Sequence, residues 1–79
     1  MRTFDQTVNA ELLEGRYLVL ELAALLDRLD EAAAREGQPN AQDERLRNLF
    51  EAIAILASRA VKPDRAERIL RLYSDPEQP

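Results

Sequence analysis

Two pairs of carboxylates, each spaced one helical turn apart, are the residues of this chain best suited to metal chemistry. Glu11 and Glu14 form the first pair, and Asp27 and Asp30 form the second, with Glu31 beside it. Mg²⁺ binds a few carboxylate oxygens together with water and substrate phosphates. A magnesium-dependent nucleotide hydrolase is therefore one candidate function.

The order Glu-x-x-Glu followed by Asp-x-x-Asp resembles the motifs of the all-helical MazG-like nucleotide pyrophosphatases, which hold magnesium with such carboxylates. The resemblance implies a metal site made by Glu11, Glu14, Asp27 and Asp30. The chain departs from that family because both pairs fall on one predicted helix, whereas the family places them on two facing helices. Glu14 and Asp27 also lie about 140° apart around that helix. We therefore interpret the acids as a solvated helix face and predict no metal, no cofactor and no catalytic residues.

The residues that most enzymes use as bases and nucleophiles are missing from the chain. It contains neither histidine nor cysteine, which excludes an imidazole base, a thiol nucleophile, a disulfide framework and a zinc site built on these residues. Ser58 and Lys62 are four residues apart, but Pro63 follows at once and disfavours a preorganised Ser–Lys pair. The sequence thus favours a protein that is not an enzyme.

Basic residues recur every three positions near the C-terminus and suggest nucleic-acid binding as a second alternative. Steps of three drift by about 60° around a helix, so these side chains spiral instead of lining one face. The net charge of −4 also disfavours a nucleic-acid partner. A site of this kind would use Arg59, Arg65, Arg68 and Arg71.

The composition predicts a single small all-α domain. The chain has 79 residues, of which 46% are hydrophobic and 33% charged, and strong helix formers dominate it. No stretch approaches the roughly 20 apolar residues that cross a membrane, and Met1–Gln6 does not resemble a signal peptide. We expect a cytoplasmic protein of bacterial type, with one domain over residues 1–73 and a flexible tail over residues 74–79.

Caps and breakers predict three helices. The first should span about 9–36, beginning at Asn9 or one turn earlier, where Thr3 and Gln6 can form a capping box. Gly37 and Pro39 should end it, and the short loop after it should turn a second helix, about 42–61, back into an antiparallel hairpin. Pro63 should open a short third helix over about 63–73.

Hydrophobic spacing predicts which helix faces are buried. In the second helix, apolar residues spaced alternately by four and three positions form the predicted buried seam: Leu46, Phe50, Ile53, Ala57 and Ala60. In the third helix the corresponding residues are Ala66, Ile69, Leu70 and Tyr73.

The first helix is apolar on two opposite sides, and one hairpin cannot cover both. The second side could be covered by Phe4 and Val8 folding back, by the third helix, or by another copy of the chain. Because the first helix is much longer than the third, we predict a homodimer in which two hairpins form a four-helix bundle. The function predicted is a helical protein–protein interaction or regulatory module. The interface residues predicted are Leu13, Tyr17, Leu20 and Ala24, together with Ile55 opposite the main seam of the second helix.

Overall fold

The computed structural model describes residues 1–37, 43–59 and 62–74, and every regular element in these ranges is an α-helix. The helices are α1 (Phe4–Glu36), α2 (Glu44–Ala57) and α3 (Arg65–Ser74). The all-α class is therefore confirmed. The chain divides into two compact units, Met1–Gln38 and Pro39–Pro79, which are described separately below. The hairpin, the single domain and the dimeric bundle stay predictions.

The first unit is the long helix α1, which begins earlier than the predicted start near Asn9. Thr3 Oγ1 accepts a hydrogen bond from the Gln6 amide at 3.1 Å, and Gln6 Oε1 accepts one from the Thr3 amide at 2.9 Å. This reciprocal capping box stabilises a start at Phe4, so Asn9 lies inside the helix. Its 33 residues give α1 a length of about 50 Å.

The C-terminus of α1 lies where the sequence predicts it. Gly37 has φ 67° and ψ 26°, a left-handed conformation that glycine adopts without the steric cost of a Cβ. Its amide donates to the carbonyls of Ala33 and Ala34, which would otherwise lack partners at the helix end. Pro39 and the loop predicted after Gly37 lie outside the described residues.

In the second unit, α2 is shorter than the predicted 42–61. Asp43 caps its N-terminus, and the helix ends at Ala57 instead of continuing toward Lys62. Ser58 leaves the helical conformation at φ −71° and ψ 145°, and its amide and hydroxyl both donate to the Ile55 carbonyl. A serine that bonds the last turn in this way offers the backbone an alternative to further helix. The end of α2 is thus set by Ser58, five residues before the proline.

The third helix begins at Arg65, so the prediction that Pro63 is its first residue is wrong. The Asp64 amide donates to the Lys62 carbonyl at 3.0 Å, which closes a turn around Pro63. The Asp64 carbonyl then accepts the Arg68 amide at 3.0 Å, the first bond of the helical ladder. Ser74 is the last residue of α3 and not part of a tail, and residues 75–79 lie outside the described part of the chain.

Helices α2 and α3 contact each other, and the faces predicted for them are only partly buried. Among the described residues, only Ala52 is buried, with 5% of its surface exposed, and the predicted seam did not include it. A small side chain at this position allows a close approach of two helices. Leu46, Ile53 and Ile69 are half-buried, whereas the other described members of the predicted faces are exposed: Phe50, Ala57, Ala66, Leu70 and Tyr73. Ala60 is outside the described residues.

The N-terminal cap of α2 predicts an acid-dependent loss of stability. The side-chain hydrogen bond from Arg45, followed by the Arg45 amide bond at 2.8 Å, lowers the pKa of Asp43 from 3.8 to about 2. Because the folded pKa lies below the unfolded one, the stabilisation is present above about pH 4 and is lost as the pH falls through about 2. Carboxyl NMR should give Asp43 a titration midpoint near 2. Asp43→Asn should remove the part of the acid-dependent destabilisation that this carboxylate causes, and a midpoint near 3.8 in the wild type would contradict the assignment.

Candidate interaction surface on the first helix

The second face of α1, defined as Leu13, Tyr17, Leu20 and Ala24, forms an apolar strip along one side of the helix. The spacing of four, three and four residues keeps these side chains in line. All four are exposed, and Leu13, Tyr17 and Leu20 expose 74%, 60% and 67% of their surface. Leu13, Tyr17 and Leu20 also line a shallow groove with Ala10, Glu14 and Arg16. The groove is mostly apolar, and Glu14 and Arg16 are the charged residues in its lining.

The opposite side of α1 carries a wider apolar surface, which we call the broad arc. Leu22, Leu26 and Leu29 are half-buried at its centre, while Leu18 and Val19 are exposed. No described residue of α1 is buried, so both faces present apolar surface. Such patches on a single protein mark sites of association. The broad arc consists of Leu12, Leu18, Val19, Leu22, Leu25, Leu26, Leu29 and Ala33.

The two faces differ in length. The line of the second face continues to Asp27 and Glu31, where carboxylates replace apolar side chains. In the other direction it extends to Ala10 and then reaches Gln6. The apolar part therefore spans Ala10 to Ala24, about 21 Å along the helix axis. The broad arc continues for a further two turns to Ala33 and suits a longer partner.

Ile55, the fifth predicted interface residue, belongs to α2 and hence to the second unit. It is half-buried, and its carbonyl accepts the Ser58 hydroxyl at 2.6 Å. Its role at a partner interface stays a prediction.

The acidic pairs of α1 are not gathered into a metal cluster in the described part of the chain. Glu11 accepts a hydrogen bond from Arg2 at 3.1 Å, and Glu14 lines the groove of the second face. No group of three or more acidic side chains close enough to hold a metal ion occurs in residues 1–37, 43–59 and 62–74. The magnesium-dependent alternative stays untested.

Two of the C-terminal arginines form what we call the Ser58 clamp. The Nε of Arg65 donates to the Ser58 carbonyl at 2.9 Å, and its Nη2 donates to the same oxygen. Arg68 Nη1 donates to Ser58 Oγ at 3.2 Å. These bonds tie α3 to the C-terminus of α2, where the helix dipole attracts positive charge. Sequence reasoning missed this role because the partner is a backbone carbonyl, which no sequence pattern marks.

The remaining arginine of α3 has an ordinary surface role. Arg71 pairs with Glu67 at 2.6 Å, four residues earlier on the same exposed helix face. Arg59, the fourth arginine of the proposed nucleic-acid site, is exposed just after α2. Arg65 and Arg68 thus share Ser58 as a partner, Arg71 pairs with Glu67, and Arg59 directly follows Ser58 in the chain.

None of the described helices combines the length and the apolar character needed to cross a membrane. Comparison of the chain with protein-family models, curated proteins and solved structures found no match.

The Ser58 clamp predicts that Arg65 contributes to stability. Arg65→Ala removes the guanidinium donors to the Ser58 carbonyl, and a hydrogen bond from a charged group contributes about 1.5–3 kcal/mol. We expect the free energy of unfolding of the α2–α3 unit to fall by that amount in urea denaturation. The matched control is Arg71→Ala, which removes an exposed ion pair and should change stability by less than about 0.5 kcal/mol. Equal effects of the two variants would show that the clamp does not stabilise the unit.

Proposed function

We propose that this protein is a non-enzymatic helical interaction module that self-associates through the second face of α1. The observation that carries the proposal is the exposed strip formed by Leu13, Tyr17, Leu20 and Ala24. Helix α1 is too long to be an isolated element that leaves two apolar sides in water. A second copy presents the same strip and supplies an equally long cover.

Burial of the second face favours association energetically. Covering a large apolar side chain contributes about 1.5–3 kcal/mol. In a symmetric dimer each contribution is made twice, once from each copy. Tyr17 adds an aromatic ring whose hydroxyl can stay at the wet rim of the interface. These gains act against the entropy lost on association, which is about 4–15 kcal/mol.

The broad arc of α1 requires a second cover, and we propose that α2 of the same chain provides it in an antiparallel hairpin. Two features support this proposal. The predicted connection after Gly37 is short, and Phe50 leaves 52% of its surface exposed in the structure. A hairpin would give Phe50 apolar neighbours and leave the second face free for the dimer. Two such hairpins would form the predicted four-helix bundle.

The alternatives have less support. Arg65 and Arg68 donate to Ser58, and Arg71 pairs with Glu67, so three of the four arginines of a nucleic-acid site have neighbours within the chain. The net charge of −4 opposes attraction to a phosphate backbone. No specific observation favours a nucleic-acid or nucleotide ligand over a second copy.

The dimer proposal is tested by introducing a charge into the second face. Wild type should have a solution mass of twice 9.0 kDa by light scattering. Leu20→Glu should shift the mass toward 9.0 kDa, because the carboxylate would be buried without a partner. Leu70→Glu is a matched control, since Leu70 on α3 is 68% exposed and Leu20 is 67% exposed. It should leave the dimer intact.

Two results would contradict this assignment. A wild-type mass of 9.0 kDa across the micromolar range would exclude self-association as the function. A dimer that survives Leu20→Glu but dissociates with Leu70→Glu would place the interface on α3. Circular dichroism should show that both variants keep their helix content.

The hairpin is tested by truncating Phe50. If α1 covers this side chain, Phe50→Ala should lower the free energy of unfolding by about 3–5 kcal/mol. Tyr73→Ala is the control, because Tyr73 is also aromatic and 53% exposed but lies outside the predicted seam of α2. Tyr73→Ala should lower the free energy of unfolding much less than Phe50→Ala does. Similar small effects, within about 0.5 kcal/mol, would mean that Phe50 is a surface residue and that α1 does not cover this face of α2.

A further inference from the structure

We propose that the second face of α1 pairs antiparallel with the same face of a second copy, about a twofold axis midway between Tyr17 and Leu20. This inference rests on the proposed function and adds the orientation and register of the interface. It follows from the residues that continue the second face in each direction along α1.

The charges at the C-terminal end of the face disfavour an in-register parallel pair. Asp27 and Glu31 continue the spacing of the apolar residues, so they fall on the same line of the helix. A parallel pair would place Asp27 against the partner's Asp27 and Glu31 against the partner's Glu31. Like charges at adjoining contact positions repel each other, most strongly where water is reduced. An antiparallel pair instead separates the two acidic ends to opposite ends of the interface.

The sizes of the side chains also suit the antiparallel arrangement. With the twofold axis midway between Tyr17 and Leu20, Tyr17 faces the partner's Leu20 and Leu13 faces the partner's Ala24. The small Ala24 thereby makes room for the larger Leu13, as well-packed interfaces require. In a parallel pair, Tyr17 would face its own counterpart while Ala24 would face only another alanine. The antiparallel pairing therefore fills space more evenly along the face.

The register is set by the residues that face each other at the two ends of the apolar strip. With this axis, all four residues of the second face contact one another across the interface, and Asp27 faces the methyl group of the partner's Ala10. Moving the partner by one heptad in one direction places Leu13 against the partner's Glu31. Moving it the other way places Gln6 against the partner's Ala24. The first shift brings carboxylates into the strip and loses apolar contacts. The second shift pairs the same number of apolar side chains as the central register. The central register is favoured over it because it also places Gln6 opposite the partner's Glu31, where the side-chain amide can donate to the carboxylate.

The natural chain contains no cysteine, so engineered thiols report the pairing without background. We would prepare Leu13→Cys and Ala24→Cys as separate proteins, then oxidise each alone and both as an equimolar mixture. A disulfide requires Cα atoms about 4.4–6.8 Å apart, which only directly facing positions satisfy. We expect efficient cross-linking in the mixture and little with either protein alone. In the control mixture, Leu18→Cys with Val19→Cys, the two positions would also lie at the same level along the paired helices. They belong to the broad arc and face away from the partner, so this mixture should not cross-link.

The outcomes separate this inference from the proposed function. Self-cross-linking of Leu13→Cys that exceeds cross-linking in the mixture would show a parallel pair and overturn the antiparallel assignment, while the dimer itself would stand. Failure of the mixture to cross-link in a protein that is dimeric by light scattering would overturn the register. A wild-type mass of 9.0 kDa would overturn the dimer and the orientation together. Circular dichroism of the reduced variants checks that each one is folded.

Discussion

The rest of this molecule depends on the need to cover a long helix that is apolar on two opposite sides. Helix α1 runs from Phe4 to Glu36, and none of its described residues is buried. Its capping box and its glycine C-cap define the ends of the helix, but caps contribute only about 1 kcal/mol each. Most helical stability in proteins comes from packing of the apolar face. Packing along its apolar faces would therefore stabilise α1 more than its two caps do.

The two apolar faces of α1 differ in length and in where charged residues interrupt them. The broad arc reaches Ala33 and has leucines over several turns, so it suits a long covering helix. The second face ends at Asp27, where a carboxylate interrupts the apolar line. A short apolar strip bounded by acid at one end can pair with itself, because reversal of the partner separates the charges. In the proposed antiparallel pair, the acids of α1 would have a structural role without any metal chemistry.

Local signals in the sequence were sufficient for α1 but not for the second unit. Thr3 with Gln6 and Gly37 act on neighbouring backbone groups, so their effect could be read directly. Of the two starts that the sequence offered, Asn9 and the capping box of Thr3 with Gln6, the structure has the second. By contrast, the end of α2 at Ser58 involves Arg65 and Arg68, which lie seven and ten residues further along. A contact of that range depends on how α3 docks, and no local rule describes it.

The same distinction applies to the faces of the helices. Spacing alone identified Leu13, Tyr17 and Leu20 as one strip, since all three lie on a single regular helix. It failed for α3, where Leu70 and Tyr73 are exposed while Leu72 and Ile69 are half-buried. On a helix of ten residues two overlapping faces can be drawn through the same leucines, so spacing alone does not choose between them. Arg65 and Arg68, which the sequence offered as part of a nucleic-acid site, donate to Ser58 just after α2.

The second unit is so small that the proposed association would also stabilise its folded state. Ala52 is the buried core residue among its described positions, and the Ser58 clamp supplies polar contacts in place of a larger apolar core. A unit of about forty residues is marginal without further burial. If α1 is covered by α2 and by a second copy, each association adds apolar contacts that neither unit has by itself. Mass action then makes the folded population rise with protein concentration, because the dimer stabilises the folded chain and not the unfolded one. In that arrangement the interface of α1 is part of what folds the protein as well as what it uses to recognise its partner.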